Sequence, residues 1–166
     1  MKNKIFIFDL DDTLYKEIDF LYSAYREIAG WIELKFSLKG IYAFMLETYK
    51  EQVDVFSRLI DTYDLSLTKA DLLSIYRSHR PNIRLELDTL KALEVLKQDF
   101  ILGMITDGRS ITQRNKFQAL GLEQFIENEN LVISEEFGSE KPSERNFMFF
   151  QDKYADAEFV YIGDNL

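Results

Sequence analysis

The protein has 166 residues, of which 46% are hydrophobic and 14% aromatic, with a formal net charge of −9 at pH 7. A chain of this length and composition folds into one or two globular domains with a sizeable core, which excludes an intrinsically disordered protein. The negative charge excludes binding to nucleic acid or anionic membranes through a general basic field, so an anionic substrate would need a local basic pocket.

The first predicted element is a strand at residues 5–8, where β-branched and aromatic residues follow one another without polar alternation. Such a run is typical of a strand covered on both faces of a parallel sheet. Asp9 and Asp11 come next and, if the extended geometry persists, leave the strand's carboxyl end on the same side, where open α/β sheets bind ligands. Because two adjacent carboxylates repel each other, they need a counter-ion, and a hard divalent cation suits them.

Residues 16–84 contain no convincing strand and predict a compact helical insertion. Apolar residues at helical spacing predict helices at residues 17–38, 41–63 and 69–78. Thr68 and Asp71 form a capping pattern at the start of the third helix, and Pro81 stops it. His79, the only histidine, is predicted to lie on the surface or in a linker.

From residue 85 onward, strand and helix patterns alternate. Helices are predicted at residues 88–98, 110–120 and 143–154, with N-caps at Asp88 and Ser110, and strands at residues 100–106, 131–134 and 159–162. This alternation implies right-handed crossovers and a parallel sheet. Residues 1–15 and 85–166 therefore form one discontinuous α/β core, interrupted by the helical insertion.

Polar residues lie at or beyond the end of each predicted strand. They are Asp9 and Asp11, then Thr106-Asp107-Gly108, then Lys141-Pro142, and finally Gly163-Asp164-Asn165. If the strands are parallel neighbours, these groups converge on one pocket. The set suits phosphoryl transfer, where catalysis is mainly positioning and electrostatic stabilisation of an in-line attack.

Each of these residues has a possible role in that chemistry. Asp9 can act as a nucleophile that forms an aspartyl-phosphate. Asp11 can donate a proton to the leaving alkoxide and then accept one from the attacking water. The substrate phosphate can be bound by the Thr106 hydroxyl, the backbone amides of Asp107 and Gly108, and the Lys141 ammonium.

A magnesium site can form at the same place. The predicted protein ligands are Asp9, the main-chain carbonyl of Asp11, and Asp164. Water and the substrate phosphate supply the remaining ligands. The ion would offset repulsion between the carboxylate and the phosphate that must meet.

The stretch Asp9-Leu-Asp-Asp-Thr13 resembles the first motif, Asp-x-Asp-x-Thr/Val, of the haloacid dehalogenase-like superfamily. The later motifs of the superfamily also have similar residues here: the second is similar to Thr106, the third to Lys141-Pro142, and the start of the fourth to Gly163-Asp164. The resemblance implies a Rossmann-like three-layer α/β/α core with a parallel sheet, and a type-one helical cap at residues 16–84 that closes over the site. It also implies a magnesium-dependent phosphoric monoester hydrolase.

One departure from the family pattern bears on these expectations. The fourth motif usually supplies a second acidic residue further on, whereas this chain stops at Leu166, so a chain truncated after the start of the fourth motif is expected. The leading hypothesis is a phosphatase acting on a small phosphorylated metabolite. A phosphomutase of the same superfamily and a truncated, non-catalytic binding protein are the alternatives, and a haloacid dehalogenase ranks lower because its chemistry does not need the acid/base function of Asp11.

Compartment and partners follow from what the sequence lacks. There is no cysteine, so disulfides and thiol chemistry are excluded. The apolar run at residues 5–8 is too short for a signal peptide, and no stretch approaches the ~20 apolar residues of a membrane span. A cytoplasmic protein with no membrane or nucleic-acid partner is expected.

Overall fold

A four-stranded parallel sheet lies at the centre of the protein, as seen in a computed structural model that describes residues 4–164. Its strands are β1 (Lys4–Phe8), β2 (Ile101–Thr106), β3 (Leu131–Ile133) and β4 (Glu158–Ile162), in the order β3-β2-β1-β4. Phe8 pairs with Met104 of β2 and with Ile162 of β4. The carboxyl ends of the strands therefore meet at one edge of the sheet, and the predicted parallel α/β core is confirmed.

Helices connect and cover the strands. They are α1 (Glu17–Phe36), α2 (Ile41–Lys50), α3 (Val55–Thr62), α4 (Lys69–Ser78), α5 (Leu87–Asp99), α6 (Ser110–Ala119), α7 (Ser134–Phe137) and α8 (Glu144–Lys153), with short 3-10 helices at Leu122–Gln124 and Asn128–Asn130. No helix within residues 4–164 is both long enough and apolar enough to pass through a membrane.

Both faces of β1 are covered, as its continuous apolar sequence predicts. Ile5 and Ile7 pack on one face in a cluster with Phe150 of α8. On the opposite face, Phe8 belongs to a cluster with Leu93 of α5 and Phe117 of α6. Because successive side chains of a strand point to opposite faces, this one strand joins both helical layers of a three-layer α/β/α core.

Gly103 in β2 allows α8 to approach the sheet closely. A Cβ at this position would lie 2.5 Å from the Phe150 ring, which is closer than any carbon contact tolerates. The absence of a side chain at Gly103 therefore determines how Phe150, fully buried, packs against the sheet.

The insertion between β1 and α5 is all helical and has its own apolar cluster. Completely buried members from all four helices α1 to α4 include Ile28, Ile32, Met45, Leu59 and Leu72. The predicted single helix at residues 41–63 is wrong, because the chain breaks into α2 and α3. Asp54 starts α3 by accepting hydrogen bonds from the main-chain nitrogens of Phe56 and Ser57 at 3.2 Å and 3.3 Å, and this cap stabilises the break. The insertion's boundaries at residues 16 and 84 stay a prediction.

The predicted caps have mixed outcomes. The box formed by Thr68 and Asp71 at the start of α4 is present. Ser143, where a helix was predicted to start, is the N-cap of α8. The caps predicted at Asp88 and Ser110 are wrong, because both residues lie inside their helices. The main-chain nitrogen of Ser110 instead donates to a carboxylate from elsewhere in the chain, at Glu135.

Candidate active site

The carboxyl edge of the sheet opens into a cleft of about 500 Å³. It is lined by Asp9, Asp11, Asp12, Glu17, Thr106, Asp107, Lys141, Pro142 and Asp164. The cleft thus collects all the predicted site residues except Gly108. A larger cavity of about 650 Å³ lies in the helical insertion and contains none of them.

Asp9 and Lys141 form an ion pair in this cleft. The Nζ of Lys141 lies 2.6 Å from Oδ1 of Asp9, and the two side chains are 19% and 14% exposed. The main-chain nitrogen of Leu10 donates to the same oxygen at 2.8 Å, while no hydrogen bond from residues 4–164 reaches Oδ2. Burial alone lowers the pKa of Lys141, but the hydrogen bond to Asp9 and the charge of Asp9 more than offset it, so the pKa is raised. The lysine therefore stays charged beside the carboxylate.

The Asp107 side chain positions this lysine. Its carboxylate oxygens accept hydrogen bonds from the main-chain nitrogen of Lys141 at 3.1 Å and 3.3 Å. The phenol oxygen of Tyr161, on β4, lies 3.3 Å from the lysine Nζ. Sequence reasoning gave a site role only to the backbone of Asp107, so this contact of its side chain was missed.

Asp11 reaches the cleft through a turn and not through the extended geometry predicted for it. The main-chain nitrogen of Leu14 donates to the Leu10 carbonyl at 3.0 Å, and Asp12 has a left-handed φ of 53°. Aspartate is among the few residues that adopt this conformation readily. The turn bends the chain immediately after Leu10 and β1 ends at Phe8, so the extended geometry on which the prediction for Asp11 depended does not persist.

The carboxylate of Asp11 is held by three donors. Tyr15 donates its hydroxyl to Oδ1 at 2.6 Å, Gln113 donates Nε2 to Oδ2 at 3.1 Å, and Nζ of Lys116 lies 2.8 Å and 2.9 Å from the two oxygens. Burial, and then the charge of Asp11, raise the pKa of Tyr15 far above its ordinary value. The phenol therefore remains a proton-bearing donor.

Thr106 ends β2 with its side chain 1% exposed. Its hydroxyl oxygen accepts a hydrogen bond from Nε2 of Gln113 at 2.6 Å. A hydroxyl that accepts one bond still has its own hydrogen to donate. The arrangement therefore suits Thr106 as a hydrogen-bond donor to an anion.

The amide of Gly108 is engaged within the protein. It donates to the hydroxyl oxygen of Ser134 at 2.9 Å, so a phosphate at this amide would have to displace Ser134. The predicted role of the Asp107 and Gly108 backbone in phosphate binding stays a prediction.

Asp164 is brought to the cleft from the far end of the chain. The main-chain nitrogen of Asp9 donates to the Ile162 carbonyl at 2.8 Å, which extends the pairing of β1 with β4. One residue beyond the turn at Asp12, the Thr13 hydroxyl accepts a hydrogen bond from the Asp164 nitrogen at 3.1 Å. Asp9 and Asp164 therefore come from neighbouring strand ends. Asn165, the last residue of the predicted strand-end set, lies outside the described residues.

A comparison with protein families finds a match to the haloacid dehalogenase-like hydrolase model over residues 6–166. The chain belongs to this family. The match covers nearly the whole sequence, so it includes both the sheet core and the helical insertion.

Curated relatives of this haloacid dehalogenase-like hydrolase include two archaeal proteins, each named glyceraldehyde 3-phosphate phosphatase. The one from Methanocaldococcus jannaschii is 30% identical over 96% of this chain and 75% of its own length. The one from Methanopyrus kandleri is 28% identical over 98% of this chain and 76% of its own length.

Solved structures of the family share its fold. The HAD-hydrolase YfnB of Bacillus subtilis, whose crystal structure is bound to magnesium, aligns with a TM-score of 0.64 and 18% identity, covering 97% of this chain and 78% of YfnB. This likeness supports the α/β core with a helical insertion.

The donor set of this hydrolase fits a magnesium ion. Within residues 4–164, no three side chains of Asp, Glu, His or Cys come together as a ready-made cation site, so the ligand set of the Asp9 and Asp164 carboxylates with the Asp11 carbonyl stays a prediction. Six acidic residues nevertheless line the cleft against one lysine, Lys141. The pKa of Glu17 is raised by burial and then by the charge of Asp11, which reflects the same excess of negative charge. Hard oxygen donors with surplus negative charge are what Mg²⁺ prefers.

Sequence reasoning missed Tyr15, Gln113 and Lys116 as members of the site. Gln113 and Lys116 are three residues apart on α6, so they lie on one face of that helix. This spacing alone is ordinary for a solvated helix, and no other signal in the sequence distinguishes the pair. His79 is also misplaced by sequence reasoning, because it is only 6% exposed and packs 4.8 Å from the Phe20 ring.

Proposed function

We propose that the protein is a magnesium-dependent phosphatase that hydrolyses a small phosphorylated metabolite through an aspartyl-phosphate on Asp9. The observation that carries this proposal is the arrangement of Asp9 at the end of β1. Its Oδ1 is paired with Lys141 at 2.6 Å, whereas Oδ2 has no hydrogen bond from residues 4–164. One oxygen is thus fixed, and the other can attack phosphorus.

In the first step of the proposed reaction, Oδ2 of Asp9 forms a bond to phosphorus while the ester bond to the leaving oxygen breaks. Asp11, when protonated, gives its proton to the departing alkoxide. In the second step, water attacks the phosphorus of the aspartyl-phosphate, and Asp11 takes a proton from that water. Inorganic phosphate leaves, and both aspartates return to their initial states.

Lys141 and Thr106 bind the phosphoryl oxygens in this proposal. Lys141 contributes a compact positive charge, and Thr106 contributes the hydroxyl hydrogen that Gln113 leaves available. The backbone amides of Asp107 and Gly108 complete the proposed phosphate site once the Gly108 amide leaves Ser134.

Asp9 and Asp164 would hold magnesium through their carboxylates, and Asp11 would do so through its main-chain carbonyl. When bound, the ion offsets the repulsion between the Asp9 carboxylate and the substrate phosphate. The surplus of acidic residues in the cleft supports this assignment.

Triose phosphates are the first substrates to test. The two archaeal relatives are named glyceraldehyde 3-phosphate phosphatases, and this chain is 30% identical to one of them. A three-carbon phosphate ester is also small enough for a cleft of about 500 Å³.

The test measures phosphate release from p-nitrophenyl phosphate and glyceraldehyde 3-phosphate, with magnesium and with a chelator. We expect turnover to require magnesium and to fall by at least about 1,000-fold in Asp9→Asn, because the amide cannot act as the nucleophile. A matched control is Asp61→Asn, an exposed aspartate of α3, which should retain full activity. Release of one phosphate per ester distinguishes hydrolysis from return of the phosphoryl group to a sugar.

A direct measurement complements these rates. Acid quenching during turnover, followed by digestion and mass spectrometry, should recover a phosphoryl group on the peptide that contains Asp9. Magnesium-dependent turnover that persists in Asp9→Asn would contradict the proposal.

A further inference from the structure

Helix α6 turns polar side chains into the protein interior where a helix normally buries apolar ones. Gln113 is 2% and Lys116 is 3% exposed. Burying an ammonium is costly unless it is paired, so a buried lysine needs a specific partner. The partner here is Asp11, whose two carboxylate oxygens both accept hydrogen bonds from the Lys116 Nζ.

The helical insertion covers this lysine. The Phe20 ring of α1 lies 4.5 Å from the Lys116 Nζ, a distance at which an ammonium is attracted to the ring face. His79, which follows α4, packs against the same Phe20 ring. Phe20, held in turn by His79, therefore shields the lysine from water, and shielding strengthens its attraction to Asp11.

Gln113 joins Asp11 to the proposed phosphate site. Its Nε2 donates to Oδ2 of Asp11 at 3.1 Å and to the Thr106 hydroxyl oxygen at 2.6 Å. A side-chain amide has two hydrogens on this nitrogen, so one group serves both partners. With Tyr15 on Oδ1 at 2.6 Å, the Asp11 carboxylate is held by donors from two directions.

We propose that Lys116 is a positioning residue that, together with Gln113 and Tyr15, fixes the Asp11 carboxyl group from which the proton passes to the leaving group. The inference rests on the proposed phosphatase function. The three donors fix the plane of the carboxylate and hence the direction from which it meets the leaving oxygen. Once Asp11 has given up its proton, Lys116 balances the charge of the resulting carboxylate, as Lys141 balances that of Asp9, so the two acids can share one cleft.

The test compares two esters that differ only in the leaving group, phenyl phosphate and p-nitrophenyl phosphate. Nitrophenolate departs with little help from a proton, whereas phenolate depends on a well-placed acid. In Lys116→Met we expect kcat to fall about 10- to 100-fold on phenyl phosphate and less than about threefold on p-nitrophenyl phosphate. KM should change by less than about twofold on either ester, because Lys116 positions the acid and does not bind the substrate.

Tyr15→Phe provides a second variant that changes no more than one hydroxyl. It should lower phenyl phosphate turnover selectively by about three- to tenfold, and it keeps the inference testable if Lys116→Met does not fold. Lys153→Met is the matched control, since Lys153 is also bound in a polar network, with Asn130 and Glu129 away from the cleft. It should leave both rates unchanged.

The possible results separate the two proposals. If Asp9→Asn abolishes turnover of both esters but Lys116→Met and Tyr15→Phe lower them equally, or raise only KM, the positioning role is wrong and the phosphatase proposal stands. Persistent turnover in Asp9→Asn overturns the phosphatase proposal itself. Unchanged rates in folded Lys116→Met also overturn the positioning role.

Discussion

The ammonium of Lys116 contacts both carboxylate oxygens of Asp11, at 2.8 Å and 2.9 Å. The sequence does not reveal that these two residues pair. Lys141 pairs in the same way with one oxygen of Asp9, at 2.6 Å. Each aspartate of the first motif therefore has its own lysine. In a protein with a net charge of −9, these pairs provide local positive charge near a cleft that is otherwise acidic.

Lys141→Met is expected to lower kcat/KM for p-nitrophenyl phosphate by about 100- to 1,000-fold. The substitution removes a preorganised positive charge that we propose stabilises the phosphoryl oxygens, and a loss of that size is typical for such donors. Steady-state kinetics with Lys91→Met, an exposed lysine of α5, as the control would measure it. A change of less than about twofold would show that Lys141 serves only to pair with Asp9.

Thr106→Val and Thr106→Ser separate the hydroxyl of Thr106 from its shape. Valine keeps the volume but leaves the buried Gln113 donor without its Thr106 acceptor, so kcat/KM should fall about 10- to 100-fold. Serine keeps the hydroxyl and should retain at least about a third of the activity. Equal losses in the two variants would mean that side-chain packing, and not hydrogen bonding, is what matters here.

Gly103→Ala is expected to lower the free energy of unfolding by about 1–3 kcal/mol, because the new methyl group would overlap the Phe150 ring. Urea denaturation measures the change. Gly30→Ala is the control: apart from its chain neighbours and the backbone of α1 itself, nothing lies within 4 Å of a Cβ at Gly30, which is inside α1. That substitution should stabilise the protein by about 0.5–1 kcal/mol. The prediction fails if Gly103→Ala is as stable as the original protein.

His79 should make the protein less stable at mildly acidic pH. Burial lowers the pKa of His79 below its ordinary value of 6.5, so the unfolded chain takes up the proton first. The stability that His79 contributes is thus complete above about pH 6.5 and is lost as the pH falls below that value toward the folded-state pKa. Glu27 and Lys116 also act on the His79 pKa, in opposite directions.

The variant His79→Asn tests this pH effect while retaining a donor near the position of Nδ1, which contacts the Tyr76 carbonyl at 2.8 Å. Between about pH 7.5 and pH 5.5, the free energy of unfolding should decrease less in the variant than in the original protein. Urea titrations at both pH values provide the comparison. Identical decreases would contradict a buried, neutral His79.

Local patterns in the sequence determined most of the secondary structure. The apolar run of β1, the capping box at Thr68 and the cap at Ser143 each depend on residues within about one helical turn of one another. The order of the strand ends also indicated which acidic and polar residues would share a cleft, because parallel strands bring their carboxyl ends to one edge of the sheet.

The tertiary structure alone decided how the site residues are held. Lys116 lies 105 positions and Gln113 lies 102 positions from Asp11, so no periodicity links them. The acceptor that Glu135 provides for α6 likewise depends on neighbours brought together by folding. A sequence encodes local geometry through spacing, whereas the partner of a buried charge is determined by which helices and strands pack against each other.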